Sequence, residues 1–350
     1  MAIREILGAD DFPIGARYQT FQLLAKGLMP VPQGATSANT AVAVLNGRTW
    51  MRITGRADPY LMGMLSSAKI TVDEMKTKKI YCGFRYVTPN SGAKSNDPLL
   101  RINPVGPNNT LDVLTRNDFQ RATDEVYVKF CIDIPNLLIT VWLDGTQIRT
   151  VPITGNMSTI TDIRIYYGQL SGAAISELHH YNDFYWEVDT FDTDGIQAGK
   201  LGPVKVKSVK VAGTVLPGDW STSDGSDPNA ILDASTMAPN TELTPVIRSS
   251  PNESVASVGF AKPTAELAIK AVSIEIFGFR DAGTAPTLQA QLKQGTTTGE
   301  KKNFIVPVGD VNRGATSDRL GCFPKDLNGA AWTNDTIDAL EVLVNSKTGG

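Results

Sequence analysis

Histidine is nearly missing: the chain has two, His179 and His180, side by side. Neighbours in a strand point to opposite faces, so this pair does not close easily on one metal ion, and no HExxH is present. Cysteine is scarce as well. Cys82, Cys131 and Cys322 are odd in number, far apart and without CxxC spacing. That argues against a disulfide framework or a zinc site and leaves buried thiols. No stretch of about 18 apolar residues occurs, so no membrane-spanning helix is encoded. The opening MAIREILGADDF lacks the apolar centre of a secretory signal, and none is expected. An excess of one charge is absent too. A net charge of −3 gives no basic field for nucleic acid and no polybasic patch for anionic lipid. No Walker loop, GxSxG or GxGxxG-then-helix pattern appears, and the serines and threonines have no histidine at a recognisable spacing.

What the chain does have is turn formers and β-branched residues. Its 31 glycines and 20 prolines separate short runs rich in Thr, Val and Ile, the composition of many strands joined by turns. At 350 residues, two domains are expected. After a lead-in with a Pro-containing extended stretch, GLMPVPQGATSANT, strands are expected at TAVAVLNG, TWMRITG, KKIYCGFRYV, PLLRINPV, TLDVLTR, EVYVKFCIDI, NLLITVWLDG, TQIRTVPI, TDIRIYYG and NDFYWEVDT. Most alternate with period two. A short helix is expected around SSAKITVDEMKTK. The clearest local unit is Asn136–Ile153. Ile139, Val141 and Leu143 face one way, Thr140 and Trp142 the other, and Asp144-Gly145 supplies a type I′ turn.

The chemistry-bearing stretch is HHYNDFYWEVDTFDTDG, from His179 to Gly195. Its alternation puts Phe184, Trp186 and Val188 on an inner face. Asp183, Tyr185, Glu187 and Asp189 fall on the other face, expected to meet solvent. Glu187, Asp189 and Asp192 spell E-x-D-x-x-D, close to a glycosidase pair of carboxyls. Asp192 is one methylene short of Glu, and in an unbulged strand it points away from Glu187. An acidic strand edge is the better reading. Asp192-Thr193-Asp194-Gly195 has oxygen ligands and a tight turn but not the full EF-hand spacing, so an Asx-turn is preferred to calcium. The loop Ser223–Asp227 reads as a solvated turn. Trp50, Trp142, Trp186, Trp220 and Trp332 are candidates for stacking on sugars, with Trp220 and Trp332, in polar loops, the better surface candidates.

Past Lys200 the character shifts. LGPVKVKSVKVAG opens a second region whose phase slips at Lys207-Ser208, suggesting a bulge or break. Further strands are expected at TPVIRS, ESVASVGF, LAIKAVSIEIFGFRD, PTLQAQLKQG, KKNFIVPVG and IDALEVLVNS, with a helical turn in DLNGAAWTNDTIDAL.

The series HHYNDFYWEVDTFDTDG…KLGPVKVKSVKVAG…GDWS resembles tailed-bacteriophage virion proteins, in which an aspartate-led strand ends a concanavalin-like jelly roll. Asp183, Leu201, Gly202, Val206 and Trp220 fit that pattern, while Asn182 stands where an acid is common. VKFCIDIPNLLITVWLDGTQIRT resembles a concanavalin-type hairpin, and AVSIEIFGFRDAGTAP and LNGAAWTNDTIDALEVLV resemble late segments of the family. The resemblance implies an all-β chain: a concanavalin A-like jelly-roll sandwich followed by a second, smaller β-sandwich domain. The expected parts are an N-terminal arm at 1–40 that docks on a neighbour, a sandwich at 41–198 and a C-terminal domain at 199–350. It further implies a non-enzymatic structural component of the virion (tail, baseplate, collar or head surface). Its partners would be other virion proteins and copies of itself, in a homo-oligomer. No catalytic, cofactor-binding or metal residue and no cofactor is assigned, and neither nucleic acid nor membrane insertion is expected. The alternatives are a module binding host surface glycans and, below it, a glucanase-like glycoside hydrolase.

Overall fold

The computed structural model describes residues 2–7, 17–18, 39–54, 61–65, 71–87, 98–103, 111–119, 125–155, 160, 163–167, 179–188, 203–233, 247–249, 254–266, 268–278, 287–305 and 316–347. The chain divides into two compact units, Met1–Lys207 and Ser208–Gly350.

The first unit contains strands β1 (Ala2–Leu7), β2 (Arg17–Tyr18), β3 (Asn39–Leu45), β4 (Arg48–Thr54), β5 (Leu61–Leu65), β6 (Lys79–Val87) and β7 (Pro98–Asn103). These are followed by β8 (Leu111–Thr115), β9 (Glu125–Asp133), β10 (Leu138–Leu143), β11 (Thr146–Pro152), β12 (Ile163–Tyr167) and β13 (His179–Val188). A nine-stranded antiparallel sheet runs β11-β10-β9-β6-β13-β4-β3-β2, with β1 also on β13. A four-stranded sheet runs β5-β12-β7-β8.

Alternation makes the core. Ile80, Cys82, Phe84 and Tyr86 of β6, Val128, Phe130 and Ile132 of β9, and Ile139 and Val141 of β10 are all buried. From the smaller sheet come Leu100, Ile102, Val113, Ile163 and Ile165, all fully buried. Each such aliphatic or aromatic side chain contributes about 1.5–3 kcal/mol by leaving water. The sheets meet at Tyr86 and Phe119, whose ring centroids are 5.3 Å apart, and at Arg149 on β11, which ion-pairs with Asp118 just after β8 at 2.5 Å. This is a two-layered sandwich.

The local expectations fare differently. The β10–β11 hairpin forms with φ of 47° at Asp144 and 83° at Gly145, the left-handed pair of a type I′ turn. Asn46-Gly47 does the same between β3 and β4, with φ of 52° and 71°. The expected helix is one short segment, Val72–Thr77, held by a capping box between Thr71 and Glu74. Within the segment expected as an N-terminal arm, Ala2–Leu7 pairs with the chain's own β13. An amphipathic edge strand satisfies its backbone groups most directly on a free edge nearby.

The second unit contains β14 (Val211–Val215), β15 (Ser221–Thr222), β16 (Ile247–Arg248), β17 (Val255–Phe260) and β18 (Val272–Gly278). It continues with β19 (Thr287–Gln294), β20 (Thr297–Thr298), β21 (Lys302–Ile305), β22 (Thr316–Phe323) and β23 (Leu340–Lys347). A six-stranded sheet runs β14-β17-β23-β19-β20, with β21 on β19, and β18 pairs separately with β22. Ile274 and Leu320 from the pair share one core with Ala290, Leu292, Phe304 and Val342 from the larger sheet. The pairing across the described strands is antiparallel throughout, and the fold class is all-β, as expected. Val204–Lys210, expected as strand, has no regular structure; the strand begins only at Val211. β22 was not anticipated, because TSDRLGCF mixes charge and glycine and shows no clean alternation.

Candidate functional site

β13 lies inside the large sheet, between β6 on one side and β4 and β1 on the other. Its register slips between Asn182 and Tyr185, and Asp183 takes a φ of 55°. This is a bulge: two residues face one on β6, and the extra residue turns a second polar side chain onto the outer face. Phe184 then returns to the core against Phe84, with centroids 5.8 Å apart. The inner and outer faces of Phe184, Tyr185, Trp186, Glu187 and Val188 therefore follow the expected alternation. The exposure does not. Asp183 and Glu187 have 0% of their surface accessible, so the solvent-facing acidic side expected from the sequence is enclosed. Alternation separates two faces; it does not say which of them is covered.

Asp183 is held from four directions. Arg48 Nη2 lies 2.7 Å and Arg85 Nε 3.1 Å from Oδ2, and the Val206 N–H donates to Oδ1 at 2.9 Å. Its own N–H donates to the Asn182 side-chain oxygen at 2.7 Å. The same two arginines reach Glu125 Oε1 at 2.8 and 2.7 Å. Two cations and two anions thus tie β4, β6, β9, β13 and the segment containing Val206. Burial pushes the Asp183 carboxyl up, and the hydrogen bonds from Val206 and Arg48 with the two guanidinium charges pull it back only in part.

Next along the face stands a phenol pair. Tyr127 donates to the Tyr185 hydroxyl at 2.9 Å, and both rings are buried. They cross the sheet over Gly83: a Cβ there would strike Tyr185 and the Tyr127 hydroxyl, so the gap requires glycine. Burial drives both phenols well above their ordinary range. Glu187 completes the enclosed part, and its charge bears on Tyr127, Tyr185 and Lys129.

Toward β10 and β11 the face opens. Lys129 Nζ sits 5.5 Å from the Tyr81 ring centroid and 5.7 Å from that of Trp142. Burial lowers the Lys129 ammonium, with Glu187 and Cys131 acting the other way. Tyr81, Lys129, Thr140 and Trp142 are half-buried, and Gln147 and Thr150 on β11 are exposed. Trp142 was among the sequence candidates. Tyr81 and Lys129 were not, since only strand pairing brings three separate segments together.

The other sequence candidates scatter. Asp189, Asp192 and Asp194 lie outside the described residues. His180 is buried in β13, at 9% exposure. Trp50 and Trp186 are core. Trp332, expected at the surface, is 3% exposed and donates through Nε1 to the Phe323 carbonyl at 2.8 Å. Trp220 is half-buried and donates to the Ser254 carbonyl at 3.1 Å. A polar loop around a tryptophan does not preclude its ring from closing a core edge. Ser223–Asp227 is an exposed turn in which Asp224 accepts from the Ser226 N–H at 3.0 Å. Cys82 and Cys131 are buried free thiols, and burial pushes Cys131 up to about 12. Among the described residues no group of three or more His, Cys, Asp or Glu could hold a metal ion, and no helix is long and apolar enough to cross a membrane.

No protein-family model and no curated protein matches the chain. Solved structures do, at low similarity. A sialidase matches at 10% identity and a TM-score of 0.29, over 50% of this chain and 19% of that one. A conserved carbohydrate esterase from the Shiga toxin-encoding bacteriophage phi24B matches at 10% identity and TM-score 0.34, over 53% of this chain and 100% of the other. Lectin II from Ulex europaeus matches at 12% identity and TM-score 0.25, over 42% and 89%. The chain thus spans about a fifth of the sialidase, and similarity at this level says nothing of ligand or reaction.

Proposed function

We propose that this chain is a non-enzymatic structural component of a bacteriophage virion that assembles through contacts with copies of itself and with other virion proteins. The observation that carries the reading is the hydrogen bond from the Val206 N–H to Asp183 Oδ1. These two residues, 23 positions apart, are among those on which the resemblance to tailed-phage virion proteins rests. Their contact gives that spacing a physical meaning: the aspartate of the closing strand fastens the segment leading out of the first sandwich. Of the described acids of the stretch, neither stands open as a catalytic carboxyl would. Asp183 is taken by two arginines, and Glu187 is enclosed rather than open to a substrate. A retaining glycosidase instead needs two carboxyls about 5–5.5 Å apart with room for a sugar between them.

The test is peptide mass spectrometry on density-gradient-purified phage particles encoding the chain. Its peptides are expected in the particle fraction, in a whole-number ratio to the other virion proteins. Recovery only from the soluble lysate would overturn the reading.

A further inference from the structure

The outer face of the large sheet changes character from β13 to β11. At β13 it is enclosed: Glu187 and Tyr185 are 0% and 1% exposed. Four strands away Gln147 and Thr150 are exposed, and between these limits lie the half-buried Tyr81, Lys129, Thr140 and Trp142. The register makes them one patch. Trp142 is the direct partner of Lys129, and Tyr81 lies on the neighbouring strand beside Gly83, the partner of Lys129 on that side. Thr140 pairs with Thr150, and Trp142 with Gln147, across the hairpin.

The ammonium is fixed before any ligand arrives. With Tyr81 and Trp142 on either side, within 6 Å, Lys129 gains cation–π attraction from both rings and loses part of its conformational freedom. Among the described residues it has no carboxylate partner at ion-pair distance, whereas Lys79 on the same sheet is paired with Asp133 at 3.0 Å and Arg149 with Asp118 at 2.5 Å. A half-desolvated cation between two aromatic walls, rimmed by two hydroxyls and an amide, is complementary to one kind of molecule. That molecule has an apolar face to lie on a ring, hydroxyls to meet Thr140, Gln147 and Thr150, and one negative charge for Lys129. A pyranose ring carrying a carboxylate has all three: axial C–H groups on one face, equatorial hydroxyls at the edge, and the charge.

We propose that the outer face of β9, β10 and β11 binds an acidic glycan, with a sugar carboxylate on Lys129 and a pyranose ring against Trp142. The site is separate from the Asp183 fastening and does not depend on the chain belonging to a virion. Flat single-subunit sites of this kind bind weakly, so repetition of the subunit would supply avidity.

The experiment is calorimetric titration of the full chain with a hexuronate hexasaccharide and with a neutral glucan hexasaccharide of equal length. Saturable binding of the acidic oligosaccharide is expected, weakening with added salt. Lys129→Gln is expected to weaken it about tenfold or more, the loss of one charge-assisted hydrogen bond. Gln147→Glu places a repelling charge on the exposed rim without touching the core and is also expected to weaken it. Unchanged melting and far-ultraviolet dichroism establish that both variants are folded. Absence of acidic-sugar binding, equal binding of the neutral glucan, or acidic-sugar binding indifferent to both substitutions would each overturn the proposal.

Discussion

The two units bury polar groups by different means. In the first, full charges go inside: Asp183, with none of its surface accessible, is neutralised by Arg48 and Arg85, which share Glu125. In the second, the buried carboxylate of Asp326 is fastened by dipoles. Asp326 accepts from the Gln294 amide at 3.1 Å and from the Asn328 and Ala330 N–H groups at 3.0 and 2.8 Å, and the other end of Gln294 accepts from the Leu327 N–H at 3.0 Å. Both devices join distant parts of the chain. They differ in what remains when one member is removed. Half-buried guanidiniums that lose one of two carboxylates keep more of their desolvation cost than orphaned amides do.

That difference ranks the expected effects. Asp183→Ala leaves Arg48 and Arg85, 21% and 23% exposed, with Glu125 as their remaining carboxylate, orphans the Val206 N–H, and should destabilise the first unit by about 3 kcal/mol. In scanning calorimetry the transition of that unit should fall steeply and the other stay in place. Asp326→Ala should cost the second unit about 1–3 kcal/mol, read from its own transition. If Asp326→Ala proves the more damaging, the contrast between ionic and dipolar fastening is broken.

The smallest effect sharpens the contrast through pH. Although burial opposes it, hydrogen bonds from Gln294 and three backbone amides hold Asp326 below the ordinary carboxylate range; Lys293 and Ser257 do the same for Glu341. Groups depressed in this way contribute stability above their unfolded pKa and lose it as pH falls through the folded value. Asp183 is raised, so its contribution has the opposite sign: present below the unfolded value and lost as pH rises through the folded one. In the first unit Asp133, lowered by Asn136 and Lys79 against the cost of burial, acts in the same sense as the acids of the second unit. Acidification from about pH 6 to about pH 3 should therefore lower the second unit's melting temperature, and Glu341→Gln should remove part of that drop. In the first unit the drop should be partly offset. A Glu341→Gln variant with an unaltered pH profile would sink the assignment.

The candidate site was legible in pieces. The faces of β13 from Phe184 onward could be read from alternation, and the β10–β11 turn from Asp144-Gly145, because period two and left-handed φ are local properties. Asn46-Gly47 carried the same turn signal. The bulge at Asp183 was not legible, since nothing local to NDF marks an extra residue. Nor was the fate of the tryptophans: Trp332 sits among Asn, Ala and Thr and is nonetheless core. The gap that Gly83 leaves for Tyr185 depends on a side chain more than a hundred positions away in sequence.

By itself the sequence determined that the chain forms short strands with one apolar face, punctuated by turns, because glycine placement and alternation act within a few residues. Tertiary structure alone decided which outer faces are closed, that Asp183 meets Arg48, Arg85 and Val206, and that Lys129 stands between Tyr81 and Trp142. Strand order brings those groups together, and strand order follows from how whole sheets bury their area, a sum over the chain that no short segment contains.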